Sequence, residues 1–101
     1  MNKKILEYRK TDHFLFRQWE RGITDLLLYS VLPFASSKEK DTLILLVEKS
    51  VLSKNHKNLQ VKNLKKYLAL IIKEKALITC FWCQSFKQIN KANKELLIIK
   101  E

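Results

Sequence analysis

The stretch "YLALIIKEKALITCFWC", residues 67–83, decides the fold because two apolar runs flank a short charged segment. Apolar runs of this length that contain Ile, Thr and aromatic residues are typical of β-strands. The order "YLALII", "KEK" and "ALITCFWC" therefore predicts a β-hairpin. Because the turn has neither glycine nor Asn-Gly, we expect a loop of about three to five residues. Both faces of the strands are apolar, which predicts a central position in a sheet that helices cover on one side.

A first helix is predicted from the stretch "DHFLFRQWERGIT", residues 12–24, with its end near Arg21. At about 100° per residue, Leu15, Phe16 and Trp19 share one arc, which we expect to be the packed side of the helix. The polar residues at i, i+4 and i+8 step round an adjoining arc. The helix therefore has an apolar side and a basic side.

Capping residues divide this region into two helices. Thr11 or Asp12 can cap the first helix. Gly22 stands where a residue in the left-handed conformation often ends a helix. Thr24 can cap a second helix through "DLLLYSVL", which Pro33 ends. The leucine run predicts that this second helix is buried on most sides.

The remaining segments complete the predicted order. Residues 41–52, "DTLILLVEKSVL", are rich in Leu, Ile and Val and predict a strand. Residues 36–41, "SSKEKD", are predicted as a loop. Residues 53–66, "SKNHKNLQVKNLKK", are predicted as a polar, basic connection.

The C-terminal segment has two possible interpretations. Phe86, Ile89, Ala92 or Asn93, and Leu96 recur at helical spacing and predict a C-terminal helix, although "LLIIK" can instead form a short edge strand. The prediction is a single α+β domain over residues 1–101. Two N-terminal helices pack on a small antiparallel sheet of about three to four strands, followed by the C-terminal helix.

Composition indicates the class of partner. The chain has 101 residues and a net charge of +10. Residues 1–49 contribute +2, from nine Lys/Arg and seven Asp/Glu, whereas residues 50–101 contribute +8, from eleven Lys and three Glu. A basic half on a small domain favours a polyanion such as nucleic acid. The alternative is a lysine-rich surface without function, since Lys, Asn and Ile are abundant throughout the chain.

Targeting signals and the two cysteines give further expectations. No apolar run reaches the roughly 18 residues of a membrane span. The N-terminus has no apolar core of a secretory signal, so we expect a cytoplasmic protein with no membrane contact. Cys80 and Cys83 form a lone C-x-x-C inside a predicted strand, where positions three apart point to opposite faces. We interpret them as buried, structural residues rather than as a zinc or redox pair.

The motif H-x-x-x-R-x-x-x-R-G-I-T starts at His13 and ends at Thr24. With the hairpin "LALIIKEKALITCFW", it resembles the small α+β domains of the RelE/ParE-like toxin superfamily, which includes BrnT-like toxins. The greatest resemblance is to an uncharacterised family in that superfamily whose first helix ends in Arg-Gly-Ile-Ser/Thr. Residues 78–81 match its I-T-x-(aromatic) segment. The resemblance covers about residues 12–85. It implies a microbial-ribonuclease fold, RNA cleavage without metal in many members, and an antitoxin protein as partner.

The front helix contains the types of residue that such cleavage needs. A base must remove the 2′-OH proton, and histidine suits this role because its ordinary pKa is about 6.5. Arginines hold phosphate oxygens as negative charge develops. We therefore take His13, Arg17 and Arg21 as catalytic candidates, with Thr79 at the last strand completing the set. The alternative is that the row is the solvent face of an ordinary helix.

A binding function without catalysis is the other hypothesis. Trp82 can stack on an unpaired base, and the lysines of the basic connection can contact phosphates. These lysines are Lys54, Lys57, Lys62, Lys65 and Lys66. The sequence has no metal-ligand cluster and no glycine-rich phosphate loop, so we expect no metal and no cofactor. RNA is the expected ligand, an antitoxin-like protein is a second candidate partner, and the oligomeric state is left open.

Overall fold

The computed structural model of the chain describes residues 8–35, 42–55, 65–85, 87, 89 and 94–100. The helices are α1 (Asp12–Glu20), α2 (Asp25–Val31) and α3 (Lys49–Asn55), and a 3-10 turn, Leu32–Phe34, follows α2. The strands are β1 (Arg9–Lys10), β2 (Thr42–Glu48), β3 (Tyr67–Lys73), β4 (Ala76–Cys83) and β5 (Lys94–Ile99). The α+β class is confirmed.

The described strands form one mixed sheet of five strands in the order β1-β4-β3-β2-β5. β3 lies antiparallel to both β2 and β4, whereas β1 and β5 run parallel to their neighbours. The prediction of a purely antiparallel sheet of three to four strands was therefore wrong in both strand number and strand direction. β1 has two residues, which is too short to leave a period-two pattern in the sequence.

The hairpin between β3 and β4 is confirmed, but its turn is shorter than predicted. Lys73 pairs with Ala76, so Glu74 and Lys75 alone form the turn. Their φ angles are +49° and +66°, as a type I′ turn requires. That turn type matches the twist of the flanking strands. The pairing of β3 with β4 therefore imposes a two-residue turn on Glu-Lys, although Asn-Gly is the sequence that favours it.

The predicted C-terminal helix is wrong over its described part. Residues 94–99 form β5, which pairs in parallel with β2 from Thr42↔Lys94 to Val47↔Ile99. The edge-strand alternative for this segment is confirmed. Helical spacing misled the prediction because Leu96 fits both a helical period and a continuous apolar strand. Of the other residues that carried the helical spacing, Phe86, Ala92 and Asn93 lie outside the described residues.

The strand predicted over residues 41–52 ends early. β2 stops at Glu48, and α3 starts at Lys49. The Ser50 hydroxyl donates to Glu48 Oε1 at 2.6 Å, while Val51 and Leu52 are buried in the core on the helical side of the sheet. An apolar Val-Leu pair fits a buried helix as well as a strand, which explains the error. The predicted loop over residues 36–41 and most of the basic connection lie outside the described residues.

Both faces of the central strands are buried, as predicted. On the helical side, Leu45, Leu68 and Leu70 pack with Phe14 and Leu28 in the larger core. The other face carries a second cluster of buried residues, which comprises Ile44, Leu46, Tyr67, Ala69 and Cys83. Within the described residues, every helix is too short or too polar to cross a membrane.

The local signals at the helix ends are confirmed. Thr11 Oγ1 accepts from Phe14 N, and Thr24 Oγ1 accepts from Leu27 N. Gly22 has φ +65°, so the chain turns between α1 and α2 in the left-handed region that favours glycine. A Cβ at this position would meet no heavy atom within 4 Å. Backbone conformation, and not lack of space, therefore selects glycine here.

Replacing Glu74 by Asn should stabilise the protein. Asparagine tolerates the left-handed conformation better than glutamate, and we expect the free energy of unfolding to rise by on the order of 0.5 kcal/mol. Urea unfolding followed by circular dichroism measures the change. The control is Lys73→Asn, in extended backbone at the end of β3, which should destabilise. A lower unfolding midpoint for Glu74→Asn would contradict the assignment of the turn.

Candidate nucleic-acid interface

The start of α1 is attached to the outer edge of β4. The Thr11 side-chain oxygen lies 3.0 Å from Leu77 O and 3.2 Å from Ile78 O, within donating distance of both. The Thr11 backbone N–H also donates to Leu77 O at 3.2 Å. β1 pairs only with Ala76 and Leu77. The contacts of Thr11 therefore extend the covered edge of β4 by one residue, to Ile78, beyond the two residues that pair with β1.

The end of α1 is attached to the same edge by a reciprocal contact. Arg21 Nη1 donates to Cys80 O at 2.8 Å, and Trp82 Nε1 donates to the Arg21 carbonyl at 3.1 Å. Trp82 is 8% exposed and belongs to the core on the helical side. The expectation that Trp82 stacks on a base is therefore corrected, because its ring is buried and its N–H is already bonded.

The predicted catalytic row does not converge on one point. At about 1.5 Å rise per residue, His13 and Arg21 lie about 12 Å apart along the helix axis. The Arg17 guanidinium donates to Glu20 Oε1, and it also lies 5.5 Å from the centroid of the Phe16 ring. His13 is exposed, and no polar contact joins it to another described residue.

Thr79 does not complete this row. Thr79 pairs with Ile71 of β3, and residues directly opposite in an antiparallel pair share a face. Ile71 packs on the face of the sheet that carries Cys83, whereas Phe14 of α1 packs on the other face. The Thr79 side chain therefore lies on the opposite face of the sheet from α1, and the structure does not bring it to His13 or Arg17.

Cations from distant parts of the sequence meet beside the end of α1. An open cavity of ≈ 630 Å³ is lined by Glu20, Arg21, Gly22, Lys65, Phe81 and Trp82. Lys65 and Lys66 are exposed. Lys66 Nζ lies 3.9 Å from Glu48 Oε2 and 5.4 Å from the Tyr67 ring centroid. Of the other predicted lysines, Lys54 lies in α3, whereas Lys57 and Lys62 lie outside the described residues.

The apolar side of α1 faces solvent, which corrects the expectation that it packs against the core. Leu15 and Phe16 are each 47% exposed and Trp19 is 82% exposed, whereas Phe14 is fully buried. The Phe16 and Trp19 ring centroids are 6.5 Å apart with 33° between the planes. We call Leu15, Phe16 and Trp19 the aromatic surface. Sequence periodicity could not find it, because an exposed apolar arc and a buried one have the same pattern.

A polar network borders the aromatic surface. Asp25 Oδ1 accepts from Lys10 Nζ at 2.6 Å and from Gln18 Nε2 at 2.6 Å. The hydrogen bond from Lys10, followed by that from Gln18, lowers the pKa of Asp25 below its ordinary value. With Leu15 and Trp19, these residues line a second, shallow cavity of ≈ 490 Å³. Its rim therefore carries exposed charges that are paired with each other.

The two cysteines are buried, as predicted. Cys80 lies in the core on the helical side and Cys83 lies in the cluster on the other face. In a strand their Cα atoms are about 10 Å apart, which is too far for a disulfide. Burial raises the pKa of Cys80 to about 11, against the opposing charge of Arg21, and burial also raises the pKa of Cys83.

No group of three or more His, Cys, Asp and Glu side chains within the described residues could hold a metal ion. Comparison of the chain with protein families, with curated proteins and with solved structures finds no match. The candidate interface is therefore supported only by the contacts, exposure and charges of this chain.

Two arginines of α1 should differ in their effect on stability. Arg17 and Arg21 have side chains that are equally exposed, at 33%. Arg21→Met leaves the part-buried Cys80 carbonyl without its charged donor and should lower the free energy of unfolding by on the order of 1 kcal/mol. Arg17→Met removes two exposed contacts, the ion pair with Glu20 and the cation–π contact with Phe16, and should cost about 0.5 kcal/mol. Urea unfolding measures both, and equal losses would contradict the attachment of α1 through Arg21.

The Cys80 thiol should make stability depend on alkaline pH. An unfolded thiol has a pKa of about 8.5, whereas the folded-state pKa of Cys80 is about 11. Between these values the unfolded chain loses the thiol proton first, so the free energy of unfolding falls as pH rises. Chemical denaturation across this range measures the fall, which should be shallower in Cys80→Ala. Equal slopes for the two proteins would be evidence against a buried, protonated Cys80.

Proposed function

We propose that the chain is a non-catalytic binding module for nucleic acid. The observation that carries the proposal is that Arg21 and Lys65 line one open cavity, with the exposed Lys66 next in sequence, on a chain whose net charge is +10. Arg21 and Lys65 are far apart in sequence, so the fold, and not a basic run, brings them together. Clustered cations bind the phosphate backbone and release its counterions.

The geometry of α1 supports binding over catalysis. The hydrogen bond to Cys80 O holds the Arg21 guanidinium at the sheet edge, where Arg21 also lines the open cavity. Catalysis by general base and phosphate clamp needs these groups within hydrogen-bond reach of one reacting centre. The about 12 Å between His13 and Arg21 along the helix axis does not meet that need.

A ribonuclease related to the RelE/ParE-like toxins is the second candidate, and a cytoplasmic toxin–antitoxin role would accompany it. The observation that favours it is His13, which is exposed and has no polar contact with another described residue. The proposed relationship to that superfamily rests on the front motif from His13 to Thr24 and on the α+β class. RNA cleavage by the purified chain that His13→Ala abolishes would establish this candidate over the binding module.

Binding to a single-stranded oligoribonucleotide, followed by fluorescence anisotropy, tests the proposed function. Lys65→Ala with Lys66→Ala should weaken binding about tenfold and should lower the slope of log affinity against log salt by about 1.4, since each lost phosphate contact contributes about 0.7. The matched control is Lys73→Ala with Lys75→Ala, which removes the same charge at the hairpin turn and should weaken binding less than about threefold.

Two results would count against the proposed function. Equal weakening by the two double variants would show that net charge alone, and not the cavity end of the sheet, attracts RNA. Lack of binding by the unaltered chain at low salt would remove the nucleic-acid function altogether. His13→Ala should leave the affinity unchanged within about twofold, because the proposal gives the imidazole no phosphate contact.

A further inference from the structure

The aromatic surface, Leu15, Phe16 and Trp19, contains three of the five large apolar side chains that are exposed among the described residues. Trp19 is 82% exposed, although the other tryptophan of the chain is buried. Single exposed apolar residues are ordinary, whereas a contiguous group on one helix indicates a binding surface. The proposed phosphate contacts at Arg21, Lys65 and Lys66 do not use these rings.

The net charge of the chain indicates which class of ligand binds the aromatic surface. A second copy of the chain would bring a net charge of +10 against +10, which opposes self-association. A polyanion is complementary to that charge. Arg17 lies over the Phe16 ring, and Lys10 lies on the rim of the cavity that Trp19 lines. Both cations are in exposed ion pairs, which contribute little to stability and can exchange their carboxylates for phosphates.

The exposed Phe16 and Trp19 rings favour a ligand that has flat, apolar groups in addition to phosphates. Phe16 and Trp19 lie side by side, 6.5 Å between centroids, on the outer side of α1. Sites for single-stranded nucleic acid combine such aromatic faces with cations along the backbone, because every unpaired base has a face that can stack. In a duplex the bases are already stacked on each other and cannot reach the rings.

We infer that Trp19 and Phe16 stack on unpaired bases of a single-stranded nucleic acid, while Arg17 and Lys10 contact the adjacent phosphates. This inference rests on the proposed nucleic-acid function and names its ligand class, single strands. The strand then runs along α1 from the aromatic surface towards Arg21 and the cavity beside Lys65. No bond is formed or broken.

Affinity for single-stranded oligouridine and for a duplex of the same length tests the inference. Trp19→Ala should weaken oligouridine binding by about tenfold or more, and Phe16→Ala by about fivefold, because each removes a stacking face. Tyr29→Ala is the matched control, since Tyr29 and Phe16 are both 47% exposed aromatic residues in short helices. It should change the affinity by less than about twofold. Duplex binding should be weaker, and none of the three variants should alter it.

Inorganic polyphosphate, a polyanion without bases, separates this inference from the proposed function. Trp19→Ala should leave polyphosphate affinity unchanged, whereas the Lys65 and Lys66 double variant should lower the affinity for both probes. If oligouridine affinity is also unchanged in Trp19→Ala, the stacking inference is overturned and the proposed function stands. If the unaltered chain binds neither probe, both are overturned.

Two further readouts complete the test. Stacking should quench the Trp19 fluorescence on addition of oligouridine, and the quenched component should be lost in Trp19→Ala. Light scattering reports self-association. A dimer that Trp19→Ala converts to a monomer, with oligouridine affinity unchanged, would assign the aromatic surface to a second copy of the chain and overturn the inference.

Discussion

The attachment of α1 to the open edge of β4 is the constraint on which the rest of the structure depends. β1 covers only the first two residues of β4, and an uncovered strand edge leaves backbone groups without partners. Thr11 meets the carbonyl groups at one end of this edge, and Arg21 meets Cys80 O further along it. Trp82 closes the contact by donating to the Arg21 carbonyl.

This attachment determines which side of α1 faces the core. With both ends held by polar contacts, the helix buries one large side chain, Phe14, and turns its broad apolar arc outward. The same contacts place Arg21 beside Lys65 at the cavity. The aromatic surface and the cationic cavity are therefore two consequences of one helix position, and a ligand that follows α1 can contact both.

Local chemistry made part of this structure predictable from the sequence. Thr11, Gly22 and Thr24 end or begin helices through interactions with near neighbours, so their roles can be read from the residues themselves. The long apolar runs of the hairpin predicted its strands. Three features were mispredicted: the strand structure of β5, the length of the turn at Glu74 and the extent of β2. Pairing between strands determines each of them, and the sequence of one segment does not show that pairing.

The candidate site was less predictable than the fold. The sequence indicated Trp82 as the base-stacking residue and placed Trp19 on the packed side of α1. In the structure Trp82 is buried and Trp19 is exposed. Both tryptophans have apolar neighbours at regular spacing. Which of them is buried depends on which side of α1 faces the sheet, and the sequence does not show this. Thr79 failed as a catalytic partner because it pairs with Ile71 on the face of the sheet away from α1, and strand alternation already places Thr79 and Trp82, three residues apart, on opposite faces.

Hydrogen exchange of the two indole N–H groups, followed by nuclear magnetic resonance on the unaltered chain, tests the position of α1 most directly. The indole N–H of Trp82 donates to the Arg21 carbonyl in a part-buried hydrogen bond, and that of Trp19 lies on a side chain that is 82% exposed. We expect one indole signal to exchange with water at once and the other to be protected until the protein unfolds. Two protected signals would show that the aromatic surface is buried, and two unprotected signals would show that Trp82 does not hold the end of α1.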